Sequence, residues 1–152
     1  MKNLDSLVPS FKSKVVVFLN KLDTEKITYA IIETRRTQET QDAYYAQGRK
    51  PKEEINAMRS KIGLYLLGDD EAKRIVTQTK NSKHILGLAI DIIPTINNAP
   101  LWTVNTPEKI KLYKRMGEIG ISCGLDWGGS WTPFDVNGLG WDLPHFQEKG
   151  LK

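Results

Sequence analysis

Residues 87–94 read Gly-Leu-Ala-Ile-Asp-Ile-Ile-Pro, an isoleucine-rich apolar run bounded by two residues that interrupt regular structure. Six residues between a glycine and a proline are too few for a typical helix and suit a strand buried in the middle of a sheet. The run therefore predicts a central strand over Leu88–Ile93, stopped by Pro94. Asp91 falls inside it. A carboxylate facing inward there is costly unless it is paired or bound to a metal ion. The alternative is that Asp91 lies on the outward face of the strand.

The rest of the chain supplies helices to cover such a sheet. Pro9 followed by Phe11, Val15, Leu19 and Leu22 predicts a helix over 9–22, with proline at its start where the missing N–H costs little. The β-branched stretch 27–33 predicts a second strand, which leads into a turn at Arg35 and Arg36. Good helix formers over 38–47 are followed by Gly48 in the left-handed position just past a helix end. After Pro51, the residues Ile55, Met58, Ile62 and Leu66 share one face of a helix expected over 52–67 and ended by Gly68. A short helix is expected within 70–79, and loops over 81–84 and 94–105. Thr106-Pro107-Glu108 combines a capping hydroxyl, a proline at the first helical position and an acid favoured by the helix dipole. That helix is expected to run to Ser122, with Gly124 ending it, and the last short strand is expected over 141–146. The elements predict an α+β protein, a small antiparallel sheet flanked by helices.

Composition narrows the class further. At 152 residues with 39% hydrophobic and 26% charged side chains, the chain has the size and usage of one folded domain, 1–152, with no repeat or linker to mark a second. The net charge of +4 comes from scattered residues, so no nucleic-acid partner is expected. Cys123 is the only cysteine, which excludes an intrachain disulfide and fits a reducing compartment. No run of eighteen apolar residues exists to span a membrane, and the first twenty residues hold no apolar signal core. A monomer without a membrane partner is expected.

Chemistry concentrates around the two histidines. His84 lies seven residues before Asp91, and His145 lies three after Asp142. A catalytic zinc site takes three nitrogen or oxygen ligands and keeps a fourth position open. Two histidines and one carboxylate are the smallest set that this sequence supplies. Spacing alone does not decide between that set and two ordinary surface or hydrogen-bonded histidines.

The local residues carry more. Ser82-Lys83-His84-Ile85-Leu86-Gly87-Leu88-Ala89-Ile90-Asp91-Ile92 resembles a signature of the D-alanyl-D-alanine carboxypeptidase family of zinc peptidases, which includes phage L-alanyl-D-glutamate endolysins. Asp142-Leu143-Pro144-His145-Phe146 is similar to the second signature of that family. Arg36-Thr37, Gln41, Tyr45 and Gly48-Arg49 resemble its arginine-bearing turn and the helix after it, and Gly124-Leu125 with Trp127-Gly128-Gly129 and Trp131 make a fourth match. The four fall in the family's order and cover about residues 31–147.

The resemblance implies a fold of the hedgehog/D-Ala-D-Ala peptidase kind and a Zn2+ ion held by His84, Asp91 and His145. It implies Asp142 as catalytic acid and base, with Asp135 as the other acid to consider, and Arg36 as the group facing the substrate carbonyl. Arg35 competes for that last role, and Thr37 after Arg36 favours the latter. Ser82 is implied to bind substrate or support the metal. The interval from Trp131 to Asp142 is longer than in many relatives, and Ser130 stands where an acid is common. The implied function is zinc-dependent hydrolysis of the stem peptide of bacterial peptidoglycan, as an L-alanyl-D-glutamate endopeptidase serving as a phage endolysin without a separate wall-binding domain. Such a bacteriolytic enzyme is expected to wait in the host bacterial cytoplasm for holin-type release. The alternatives are a D,D-carboxypeptidase or dipeptidase, and a non-catalytic zinc-containing wall-binding module.

Overall fold

A computed structural model describes residues 2–151. In chain order the helices and strands are α1 (Pro9–Thr24), β1 (Tyr29–Glu33), α2 (Gln38–Ala46), α3 (Lys52–Lys61), α4 (Asp69–Ala72), β2 (Ala89–Ile96), β3 (Ala99–Pro100), α5 (Pro107–Ser122), β4 (Leu125–Trp127) and β5 (His145–Glu148). Short 3-10 turns occupy Leu4–Ser6 and Gly128–Ser130. The chain forms two compact units, one from the segments up to Arg35 and from Leu86 onward, the other from Arg36–Ile85.

The first unit holds the whole sheet, in the order β1-β2-β5-β4, with β3 on β2, and every pairing is antiparallel. The expected α+β architecture is what the chain adopts. Alternation along the strands separates two chemistries. Ile90 of β2, Phe146 of β5 and Trp127 of β4 are in register on one face. They join a buried cluster with Phe11, Val15, Phe18 and Leu22 of α1 and with Met116 and Ile119 of α5. Each such side chain contributes about 1.5–3 kcal/mol of burial, and the tilted Phe18–Phe146 ring pair at 4.8 Å adds roughly 0.5–1.5 kcal/mol. The opposite face, at the same level, carries Ala89 and Asp91 of β2 against Gln147 and His145 of β5.

Two glycines let α5 come close to the aromatic face. A Cβ on Gly117 would stand 2.3 Å from the Trp127 ring, and one on Gly120 would stand 2.4 Å from the Phe146 ring. Thr106 caps α5 by accepting from the Lys109 amide at 3.3 Å, and Gly124 at φ +84° ends it, both as the sequence predicts.

Strand β2 does not stop at Pro94 but continues to Ile96. Backbone groups of successive residues point to alternate sides: Ile92 donates to the Pro144 carbonyl, and Thr95 to Thr28 on the β1 side. The missing N–H of Pro94 thus faces the side that β5 has already left, where only its carbonyl is needed, by Leu101 at 3.0 Å. Asn97 and Asn98, at φ +53° and +64°, then make a two-residue hairpin turn into β3. The loop expected over 94–105 is therefore partly sheet.

The second unit buries its own small core of Ala46, Ile55, Leu67 and Ala72, with Met58 packed on it. Thr37 caps α2 through the Thr40 amide, and Gly48 past its end has φ +81°, as predicted. Helix α3 ends at Lys61, short of the expected 67. Gly63, at φ +75°, donates to the Ser60 carbonyl while Leu64 donates to Arg59, a pair of bonds that satisfies the last turn and reverses the chain. Leu66, assigned by spacing to the apolar face, is exposed, and its neighbour Leu67 is buried instead. Of the helix expected within 70–79, only Asp69–Ala72 forms.

Candidate metal centre

Asp91 and His145 are directly opposite one another across the β2–β5 pair. Their register brings Asp91 Oδ1 to 3.3 Å from His145 Nδ1. The expectation that residues 141–146 form a strand is corrected here. Strand β5 begins only at His145, and Asp142–Pro144 make a turn in which the His145 amide donates to the Asp142 carbonyl at 3.2 Å. Trp127 Nε1 holds that turn from the core side by donating to the Leu143 carbonyl at 2.8 Å. The turn folds the Asp142 carboxylate back toward the imidazole, with Oδ2 at 3.9 Å from Nδ1. Asp142 is the more exposed of the two acids, with 36% of its side chain accessible against 21% for Asp91.

The His145 ring is almost fully buried and contacts a partner at each nitrogen. Its Nε2 donates to Gln147 Oε1 at 2.9 Å, and Trp131 packs on it with ring centroids 5.2 Å apart. Burial pushes the imidazole pKa down. The hydrogen bond and charge of Asp91, the charge of Asp142 and the bond to Gln147 outweigh this, and the net direction is upward.

In the second unit, His84 is only 2% exposed. Its turn is shaped locally: Ser82 Oγ accepts from the His84 amide at 3.2 Å, and the His84 carbonyl accepts from the Arg36 amide at 3.1 Å. Arg36 donates from Nη1 to Gln41 Oε1 at 2.6 Å and stacks over the Tyr44 ring at 4.9 Å. Arg35 is exposed. The candidate acid Asp135 is occupied in closing its own loop, where its carboxylate accepts from the amides of Asn137 and Leu139.

His84, Asp91 and His145 each offer one ligand atom, and these atoms lie within 4.8 Å of one another. Among the described residues they are the only group of three or more histidine, cysteine, aspartate or glutamate side chains so arranged. The donor set fits zinc: two imidazole nitrogens and one carboxylate oxygen are its usual catalytic ligands, and three protein ligands leave one position open. Gln147 is the participant that the motifs do not reveal. Its signal is the spacing from His145, since residues two apart in a strand share a face.

The model of the family described as D-alanyl-D-alanine carboxypeptidase matches residues 76–148. Among solved structures, the Serratia marcescens L-Ala D-Glu endopeptidase ChiX is similar at TM-score 0.57 and 18% identity, over 96% of this chain and 83% of that one. The vancomycin resistance D,D-pentapeptidase VanY, solved in complex with Zn(II), is similar at TM-score 0.55 and 16% identity, over 95% and 73% of the two chains. The LdcB LD-carboxypeptidase is similar at TM-score 0.56 and 16% identity, over 93% of this chain and 58% of that one. A comparison by sequence with curated proteins finds no match. The fold is shared with these solved peptidases, and His84, Asp91 and His145 are in position to hold a metal ion. The matched segment carries all three candidate ligands, and the family it matches is the one that the motifs resemble.

Proposed function

We propose that this zinc peptidase hydrolyses the stem peptide of bacterial peptidoglycan between L-alanine and D-glutamate. The observation that carries the reading is the cluster His84, Asp91 and His145, with the Asp142 carboxylate 3.9 Å from the His145 ring. A half-exposed acid beside the ligands has the reach and the solvent contact that a proton-transfer group needs. The choice of bond is supported by the resemblance of the motifs to phage L-alanyl-D-glutamate endolysins and by the fold shared with ChiX.

Zinc, when bound, supplies Lewis-acid polarisation and lowers the pKa of a water to near neutrality. His84, Asp91 and His145 hold it. Asp142 takes the proton of the attacking water on its carboxylate and returns it to the leaving amine. Arg36, held by Gln41 and Tyr44, presents its guanidinium to the oxygen on which negative charge develops, the point where a fixed cation contributes most. Ser82 keeps the His84 turn in shape through its hydrogen bond to the backbone. As a phage endolysin, the protein accumulates in the host cytoplasm and meets its substrate after holin-type release.

Digestion of purified peptidoglycan followed by mass spectrometry tests the bond. The expected products are stem peptides that begin with D-glutamate. Release of terminal D-alanine alone would replace the endopeptidase by a D,D-carboxypeptidase.

A further inference from the structure

We infer that Gln147 is a positioning residue for the metal ligand His145, selecting which ring nitrogen meets the metal. The inference rests on the zinc-peptidase reading and adds to it a residue outside the ligand set and outside the acid–base machinery.

The strand fixes where the Gln147 side chain begins. β5 is held on both sides, Gln147 pairing with Ala89 of β2 and with Asp126 of β4, so its backbone has little freedom. Residues two apart in such a strand project from one face, which sets Gln147 beside His145. Ala89, opposite Gln147, is fully buried and small, and leaves room on that face for a long side chain. Both Gln147 and His145 are 7% exposed, so neither exchanges its contacts freely with water.

The chemistry follows from the hydrogen bond. Gln147 Oε1 has no proton to give, so the contact at 2.9 Å requires the proton to be on His145 Nε2. That leaves Nδ1, the nitrogen 3.3 Å from Asp91 Oδ1, to face a metal held together with Asp91. A half-turn of the ring about Cβ–Cγ would exchange Nδ1 for Cδ2 and Nε2 for Cε1, and would turn both polar contacts into contacts with C–H groups. The glutamine therefore fixes tautomer and ring orientation together, the service that a metal-bound histidine ordinarily receives from its outer partner. A neutral amide does so without adding a second negative charge to the ligand set.

Zinc affinity of the full chain, measured by competition with a chromophoric chelator, tests this. Gln147→Leu, similar in volume and without an acceptor, is expected to weaken zinc binding by about 10–100-fold, and Gln147→Glu, which keeps the acceptor, to remain within about threefold of the parent. His145→Ala is measured alongside. If it binds zinc like the parent, the ligand assignment fails. If it loses zinc while Gln147→Leu stays within about threefold of the parent, or if the leucine and glutamate variants weaken equally, the positioning inference is overturned and the ligand assignment stands. A second readout needs no variant: nitrogen-15 spectra of the zinc-loaded parent are expected to show a protected imidazole proton on His145 Nε2. A proton on Nδ1 would overturn the inference.

Discussion

Replacing His145 by alanine is expected to remove zinc binding and hydrolysis together, and His84→Ala is expected to do the same. Each change takes one of only three donors from the cluster, and neither chain neighbourhood offers a substitute imidazole, since these are the only two histidines in the sequence. Both side chains are nearly inaccessible, so an alanine leaves a gap rather than an exposed stump. Two donors instead of three would leave the ion one protein ligand short of the usual catalytic set. Metal content after dialysis, measured with turnover on peptidoglycan, checks this. Either variant retaining stoichiometric zinc would remove that histidine from the ligand set.

Asp142→Ala is expected to separate the two properties. Asp142 is not one of the three clustered ligands, and its carboxylate stands 3.9 Å from the His145 ring on a turn closed by backbone bonds. That turn is held by the Trp127–Leu143 bond and by the Ile92–Pro144 bond, neither of which uses the Asp142 side chain. Zinc should remain bound while turnover falls by about 100–10,000-fold, the range of a lost general acid–base group. Near-parent hydrolysis by this variant would sink the assignment. Loss of zinc in step with activity would recast Asp142 as part of the ligand frame.

How much of this was legible in the chain depends on how local each cause is. Helix ends set by their own caps are readable, as at Thr37, Gly48, Thr106 and Gly124. Helix α3 meets Gly63 before it reaches Gly68, the stop that the sequence predicts. The first adopts the left-handed conformation and the second does not, at φ −79°. Pro94 reads as a strand end because proline removes a donor, yet whether that donor is needed depends on where β5 begins, at His145, far along the chain. The Asn97–Asn98 hairpin and the three-residue β4 are too short for periodicity to announce.

The candidate site was more legible than the sheet that carries it. His84, Asp91 and His145 stand in motifs whose residues are close in sequence, and the structure gathers their ligand atoms. Asp142 was legible as a residue, but its presentation was not: a turn ahead of β5 holds it, where the sequence pointed to an extended segment. Gln147 escaped because a buried polar residue in a strand declares its partner only once the strand's faces are known.

The central claim is that this chain acts through one metal ion held by His84, Asp91 and His145. The direct measurement is peptide release from purified peptidoglycan by the protein as isolated, after stripping with a strong chelator, and after addition of zinc, with bound metal quantified at each stage. The account predicts release that disappears with the metal and returns as zinc is restored to one ion per chain. Release that continues unchanged from metal-free protein would contradict it.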